Sequence, residues 1–225
     1  MKQFELQTER KIIMPNFRVT FSKDDVLVYI SHLDLNHAFI RALNRADVKL
    51  RFSEGFNPHP KIVFALPLSV GMEGENEIVD IGVADEEMTE EKLRDILTEQ
   101  MPPHITVKFV VRVEGKLKDI SGARYEIRIS KSGIADKLSE FFKSEISVLK
   151  KTKSGEKQVV ISGQIQKISA VETDGITLID AVLDARADSY LNPELIMRAA
   201  LDAGIISQSD AYGINRKEIY FGKNA

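Results

Sequence analysis

The sequence contains no cysteine. The chain can therefore form no disulfide, no thiolate zinc site and no cysteine-held iron–sulfur cluster, and it has no thiol nucleophile. No apolar run approaches the roughly 20 residues that a bilayer-crossing helix needs. The opening stretch MKQFELQTERKIIMPN is charged and lacks the apolar centre of a secretory signal. Together these absences point to a cytoplasmic protein without membrane contact. Several catalytic fingerprints are missing too: Gly-x-Ser-x-Gly, the P-loop, the Rossmann glycine pattern and His-Glu-x-x-His.

What is present is ordinary globular composition: 225 residues, 43% apolar and 29% charged. That length suits one or two domains and a sizeable core. The net charge of −3 argues against a chain that is polyanion-binding throughout, but it hides a segregation. Residues 71–104 hold eleven acids against two bases, and residues 116–167 hold twelve bases against six acids. Such blocks form solvated faces, or a basic surface that meets nucleic acid or an acidic partner.

Hydrophobic periodicity predicts a leader over residues 1–15, then a strand at 17–21 extended by the apolar run 26–30. A helix follows at 31–46, strands at 61–66 and 77–84, a helix at 88–100 and a strand at 105–113. The second half repeats that order: a strand at 123–130, a helix at 134–142, hairpins at 146–164 and 165–184, a helix at 193–203 and a strand at 217–221. The fold class expected is α+β, as two tandem ferredoxin-like (βαββαβ) halves with antiparallel sheets. The halves are expected at residues 16–115 and 122–225, with the hairpin near 165–184 inserted into the second.

The stretch 31–61, SHLDLNHAFIRALNRADVKLRFSEGFNPHPK, holds three of the four histidines. Ser31 and Asp34 have the spacing of a capping box. His37, Arg41 and Arg45 lie four apart and stack on one helical line, opposite the apolar face of Leu35, Phe39 and Leu43. Two arginines at that spacing suit a phosphate, or serve as a plain solvent face. His32 and His37 are five apart, roughly 140° round a helix, and cannot share a metal from one face. A zinc site there would need His59 and a distant carboxylate, and no metal is expected.

The segment SEGFNPHPK carries the sharper signal. Gly55 permits a positive φ, and Pro58 and Pro60 hold Asn57 and His59 extended. A stiff loop with Ser53, Gly55, Phe56, Asn57, His59 and Lys61 offers an aromatic face, hydrogen-bonding edges and a cation to a nucleotide. The same residues would also make a tight loop with Phe56 plugging the core.

SHLDL and GFNPHPK, joined by an arginine-bearing helix and followed by FALPLSVGMEGENEIVDI, resemble the radical-SAM-linked family, a bacterial domain of unknown function found alone or fused behind radical SAM enzymes. The resemblance covers residues 17–113 most strongly. The recurrent positions fall on Ser31, His32, Leu33, Asp34, Arg41, Arg45, Ser53, Gly55, Phe56, Asn57, Pro58, Pro60 and Gly71. The family pattern often has a second basic residue beside Arg45, where this chain has Asn44, which weakens the basic contact there. The resemblance implies a module with no cofactor and no catalytic residues of its own, and a radical SAM enzyme as partner. The function expected is binding of RNA, or presentation of an RNA or anionic substrate to that partner. The site would comprise His32, Asp34, His37, Arg41, Arg45 and the loop residues named above. Two alternatives stand beside it: a metal-independent RNA endonuclease using His59 or His32, and a protein–protein adaptor docking through the acidic segment.

Overall fold

The computed structural model describes residues 15–114, 117, 120–152 and 155–222. The chain builds a mixed α+β architecture, a large and mostly antiparallel sheet with four α-helices among the described residues. The elements run β1 (Asn16–Lys23), α1 (His32–Arg45), β2 (Ile62–Phe64), β3 (Met72–Gly82), α2 (Glu90–Gln100), β4 (Ile105–Val113) and β5 (Ile120–Ile129). Then come α3 (Ala135–Phe141), β6 (Ser147–Thr152), β7 (Gly155–Val160), β8 (Ile165–Thr173), β9 (Ile176–Arg186), β10 (Ser189–Tyr190), α4 (Glu194–Asp202) and β11 (Tyr212–Phe221). The expected leader lies outside the described residues except for Pro15, whose carbonyl accepts the Val83 amide.

Local sequence explains the elements. In β1, Phe17, Val19 and Phe21 alternate inward against outward Arg18 and Thr20. The α1 cap is the expected box: Ser31 Oγ accepts the Asp34 amide at 3.1 Å, and Asp34 accepts the Ser31 amide at 3.3 Å. Thr89 caps α2 through the Lys92 amide, and Asn192 accepts the Glu194 amide at the start of α4.

Strand order in the first half is β4-β1-β3-β2, all antiparallel. In the second it is β11-β5-β9-β8, also antiparallel. The two join into one sheet because residues 214–216 of β11 run parallel to residues 72–74 of β3. Paired residues share a face, so Ile214 with Met72 and Arg216 with Gly74 put both apolar cores on the same side. One core joins α1 and α2 to β1 and β3, through Phe39, Leu43, Leu93, Phe21 and Ile81. The other joins α3 and α4 to β5 and β9, through Leu138, Ile196, Tyr125, Ile127 and Leu183. No helix among the described residues is long and apolar enough to cross a membrane.

Four local expectations change. The run 26–30 does not extend β1; residues 25–29 form a short 3₁₀ helix in which the Leu27 amide reaches the Asp24 carbonyl, and only Val28 of the run is buried. The hairpin 165–184 is not an insertion but supplies β8 and β9 to the main sheet, because Ile179, Ala181 and Leu183 alternate into the core. The ribbon that stands apart is β6–β7. Finally, β11 begins at Tyr212 rather than at residue 217, and β3 begins at Met72 rather than at residue 77. Its glycine-rich start is strand because it pairs with Lys23 of β1 and residues 214–216 of β11, and glycine stands at 74 because a Cβ there would lie 2.5 Å from the Glu77 side chain.

Candidate functional site

The loop after α1 is a miniature extension of the sheet. The Arg51 amide donates to Gly82 O, the Lys61 amide to Arg51 O and the Gly82 amide to Lys61 O, at 2.8–2.9 Å. Beyond them Phe52 pairs with Pro60. The tip is closed by Ser53: its amide donates to His59 O at 2.8 Å, its Oγ accepts the His59 amide at 3.1 Å and meets His59 Nδ1 at 2.9 Å. Gly55 sits at φ +128°, where a side chain is strained. Phe56 does not plug the core; it is fully exposed at the tip. Among the described residues the side chains of Asn57 and Lys61 have no hydrogen-bonding or ionic partner, and His59 keeps Nε2 free. The loop therefore holds an aromatic ring, an amide, an imidazole edge and a cation on a fixed backbone.

The residues of α1 do not gather there. The His32 ring packs edge-on against Phe64 of β2, with centroids 4.9 Å apart. Asp34 belongs to the cap, and its hydrogen bonds from Ser31 hold its carboxyl below the usual range. His37 and Arg41 are exposed and make no hydrogen bond or ion pair among the described residues. Arg45 turns the other way and donates from Nε to Gln100 Oε1 at 3.0 Å and from its guanidinium to Gln100 O, closing the end of α2. No hydrogen bond or ion pair among the described residues links this stripe to the loop. Nor do three histidine or carboxylate side chains gather to hold a metal among them.

Sequence reading missed a second concentration of polar chemistry, at the seam between the cores. Arg216 of β11 is 1% exposed and forks onto Glu77 of β3, itself 3% exposed, with Nε at 2.8 Å from Oε1. The same guanidinium donates to the carbonyls of Leu66 and Pro67. Burial works against its charge, but Glu77 outweighs it and raises its pKa. Lys23, also 1% exposed, reaches among the described residues only Val28 O at 3.5 Å, and burial pulls its pKa down. Burial pushes the Tyr125 hydroxyl up to about 12. Next to this cluster Lys217 pairs with Glu75. Two acids of the acidic segment are thus spent within the chain, on the arginine and lysine of its last strand. The available signal was the alternation Ile214-x-Arg216, which places an arginine on the apolar face.

A groove of about 720 Å³ opens beside the seam, between β2 on one side and Ile120, Ala185, Arg186 and Tyr190 on the other. At its rim Asp184 accepts from Gln166, Ser189 and Arg186 at 2.7–2.8 Å. Burial pushes the Asp184 carboxyl up, and these three donors outweigh it, holding the pKa below the usual range.

Comparison with known families comes down on one match. The profile of DUF2344, described as an uncharacterised protein conserved in bacteria, matches residues 16–193. The chain belongs to the DUF2344 family. The match takes in α1, the proline-bracketed loop, Glu77 and the groove-lining Arg186, while Arg216 lies beyond it. No curated protein matches the sequence. Among solved structures, the crystal structure of an unknown protein from Galdieria sulphuraria is similar over 90% of this chain and 98% of its own, at 12% identity and a TM-score of 0.27. That likeness is too slight to assign a fold to a DUF2344 protein.

Proposed function

We propose that this DUF2344 protein is an accessory module, without catalytic activity of its own, that binds RNA or presents an RNA-like anionic substrate to a separate radical SAM enzyme in the cytoplasm. Each half is read as a ferredoxin-like unit, on the support of the strand orders β4-β1-β3-β2 and β11-β5-β9-β8. The observation that carries the binding proposal is Phe56, fully exposed on a loop locked from behind by Ser53 and His59. A large aromatic ring held in water on a stiff backbone loses little entropy when a base stacks on it, and stacking on such a ring is worth ~1–3 kcal/mol per base. Asn57 and the free edge of His59 meet base edges, while Lys61 and Arg41 meet phosphate. Arg45 is the weaker contributor, being committed to Gln100.

The test is titration of a labelled single-stranded RNA with the full chain across a salt series. Affinity falls steeply with salt if several phosphates are neutralised. Phe56→Ala weakens binding by about 5- to 150-fold, and Lys61→Ala flattens the salt slope by about 0.7. Absent or salt-insensitive binding sinks the proposal. RNA cleavage that survives chelator and disappears in His59→Ala replaces it with a metal-independent endonuclease.

A further inference from the structure

The groove beside the seam has an unusual wall, a strand edge. The Gly82 amide donates to Lys61 O and the Ala65 amide to Ile78 O, which fixes the ladder phase between β2 and β3. In an antiparallel pair alternate residues bond to the neighbour and the others turn away. The carbonyl of Ile62 and both backbone groups of Phe64 therefore turn away from β3, Phe64 lines the groove, and among the described residues no strand pairs with that edge. The Ile62 amide is taken by Pro60 O and the Leu66 carbonyl by Arg216. The remaining edge is short, bracketed by Pro60 and Pro67. Around it the walls are apolar, with Val63, Leu66, Ile120, Ala185 and Tyr190, and among the described lining residues the one ionic side chain is Arg186. Arg186 is anchored by a single guanidinium nitrogen to Asp184 at 2.8 Å, and its side chain is 54% exposed.

We infer that the outer edge of β2 takes up a short extended peptide carrying an acidic side chain, which adds as a strand in the groove and answers Arg186. Backbone donors and acceptors in ladder phase select a peptide over a compact apolar ligand, which would leave them unpaired. The prolines limit pairing to residues 62–66. The apolar walls suit β-branched side chains at alternate positions, and Arg186 with its unused donors suits a carboxylate. The partner is then a protein with an exposed extended acidic segment, bound independently of the loop around Phe56.

The test uses the isotopically labelled full chain and three synthetic probes: acetyl-Val-Glu-Val-Glu-Val-amide, the same peptide N-methylated at alternate residues, and acetyl-Val-Lys-Val-Lys-Val-amide. The first slows amide exchange at Phe64 at least tenfold at millimolar concentration. The N-methylated and lysine peptides leave it unchanged, and Arg186→Glu reverses the preference between the glutamate and lysine peptides. Protection of the Phe64 amide in the free protein overturns the inference, because the chain then covers its own edge. So does an unchanged exchange rate with the glutamate peptide, or an Arg186→Glu variant that treats all three peptides as the native chain does.

Discussion

Lys23 is the residue whose chemistry is least comfortable. It is buried in a cluster with one carboxylate, Glu77, and a second cation, Arg216, so one positive charge is in surplus. Burial lowers its pKa below 10.5, which means the folded chain binds its proton less tightly than the unfolded chain. The resulting penalty is present in full below the lowered value and disappears as pH rises through it toward 10.5. Lys23→Met should therefore stabilise the protein at pH 7, by about 1 kcal/mol or roughly 2–4 °C in Tm for a chain of this size. The gain should shrink in alkaline melts. A difference between the two proteins that stays constant as pH is raised to 10.5 would show that burial does not lower the Lys23 pKa.

Helix α1 and the loop behind it were legible because their signals are local. The Ser31–Asp34 spacing announced a cap, and Ser31→Ala should cost about 1 kcal/mol in chemical denaturation. The prolines around His59 announced a stiff loop, and the structure adds the Ser53 lock that no pattern displayed. Ser53→Ala removes the acceptor of the His59 amide. It should leave the melting temperature nearly unchanged while weakening RNA binding as Phe56→Ala does, since the tip loses its fixed shape. Where sequence reading went astray, the cause was context. Val26, Val28 and Ile30 look like strand, but the Asp24 carbonyl closes a tight turn on Leu27. Residues 165–184 and 147–160 both read as hairpins, and nothing in either stretch says which joins the sheet. That choice depends on how Ile179 and Leu183 meet β5, over fifty residues away. The stripe on α1 shows the same limit: Arg45 is in line with Arg41 on the helix, yet Gln100 of a distant helix claims it.

At the scale of the molecule, the two cores are tied by Arg216 and Glu77. Removing one partner leaves a buried charge alone, so Glu77→Ala should cost about 3–5 kcal/mol. The double substitution Glu77→Leu with Arg216→Met should recover most of that loss. It should not recover all, because the Leu66 and Pro67 carbonyls also lose their donor. Equal costs for the single and the double variants, read from urea midpoints, would refute the ion-pair account. The charge segregation seen in the sequence takes its meaning here. The acidic start of β3 is the counterpart of Arg216 and Lys217, and the Arg216–Glu77 pair alone spans 139 positions, which no window of sequence reveals.

That separation also sets a schedule. A ribosome adding 5–20 residues per second needs roughly 7–28 s to travel from Glu77 to Arg216. Throughout that interval the nascent first half has a carboxylate waiting for its guanidinium and a β3 margin waiting for β11. Biogenesis of this protein should thus lean on chaperones that shield emerging chains, and slowing translation late in the message should lower the yield of folded product.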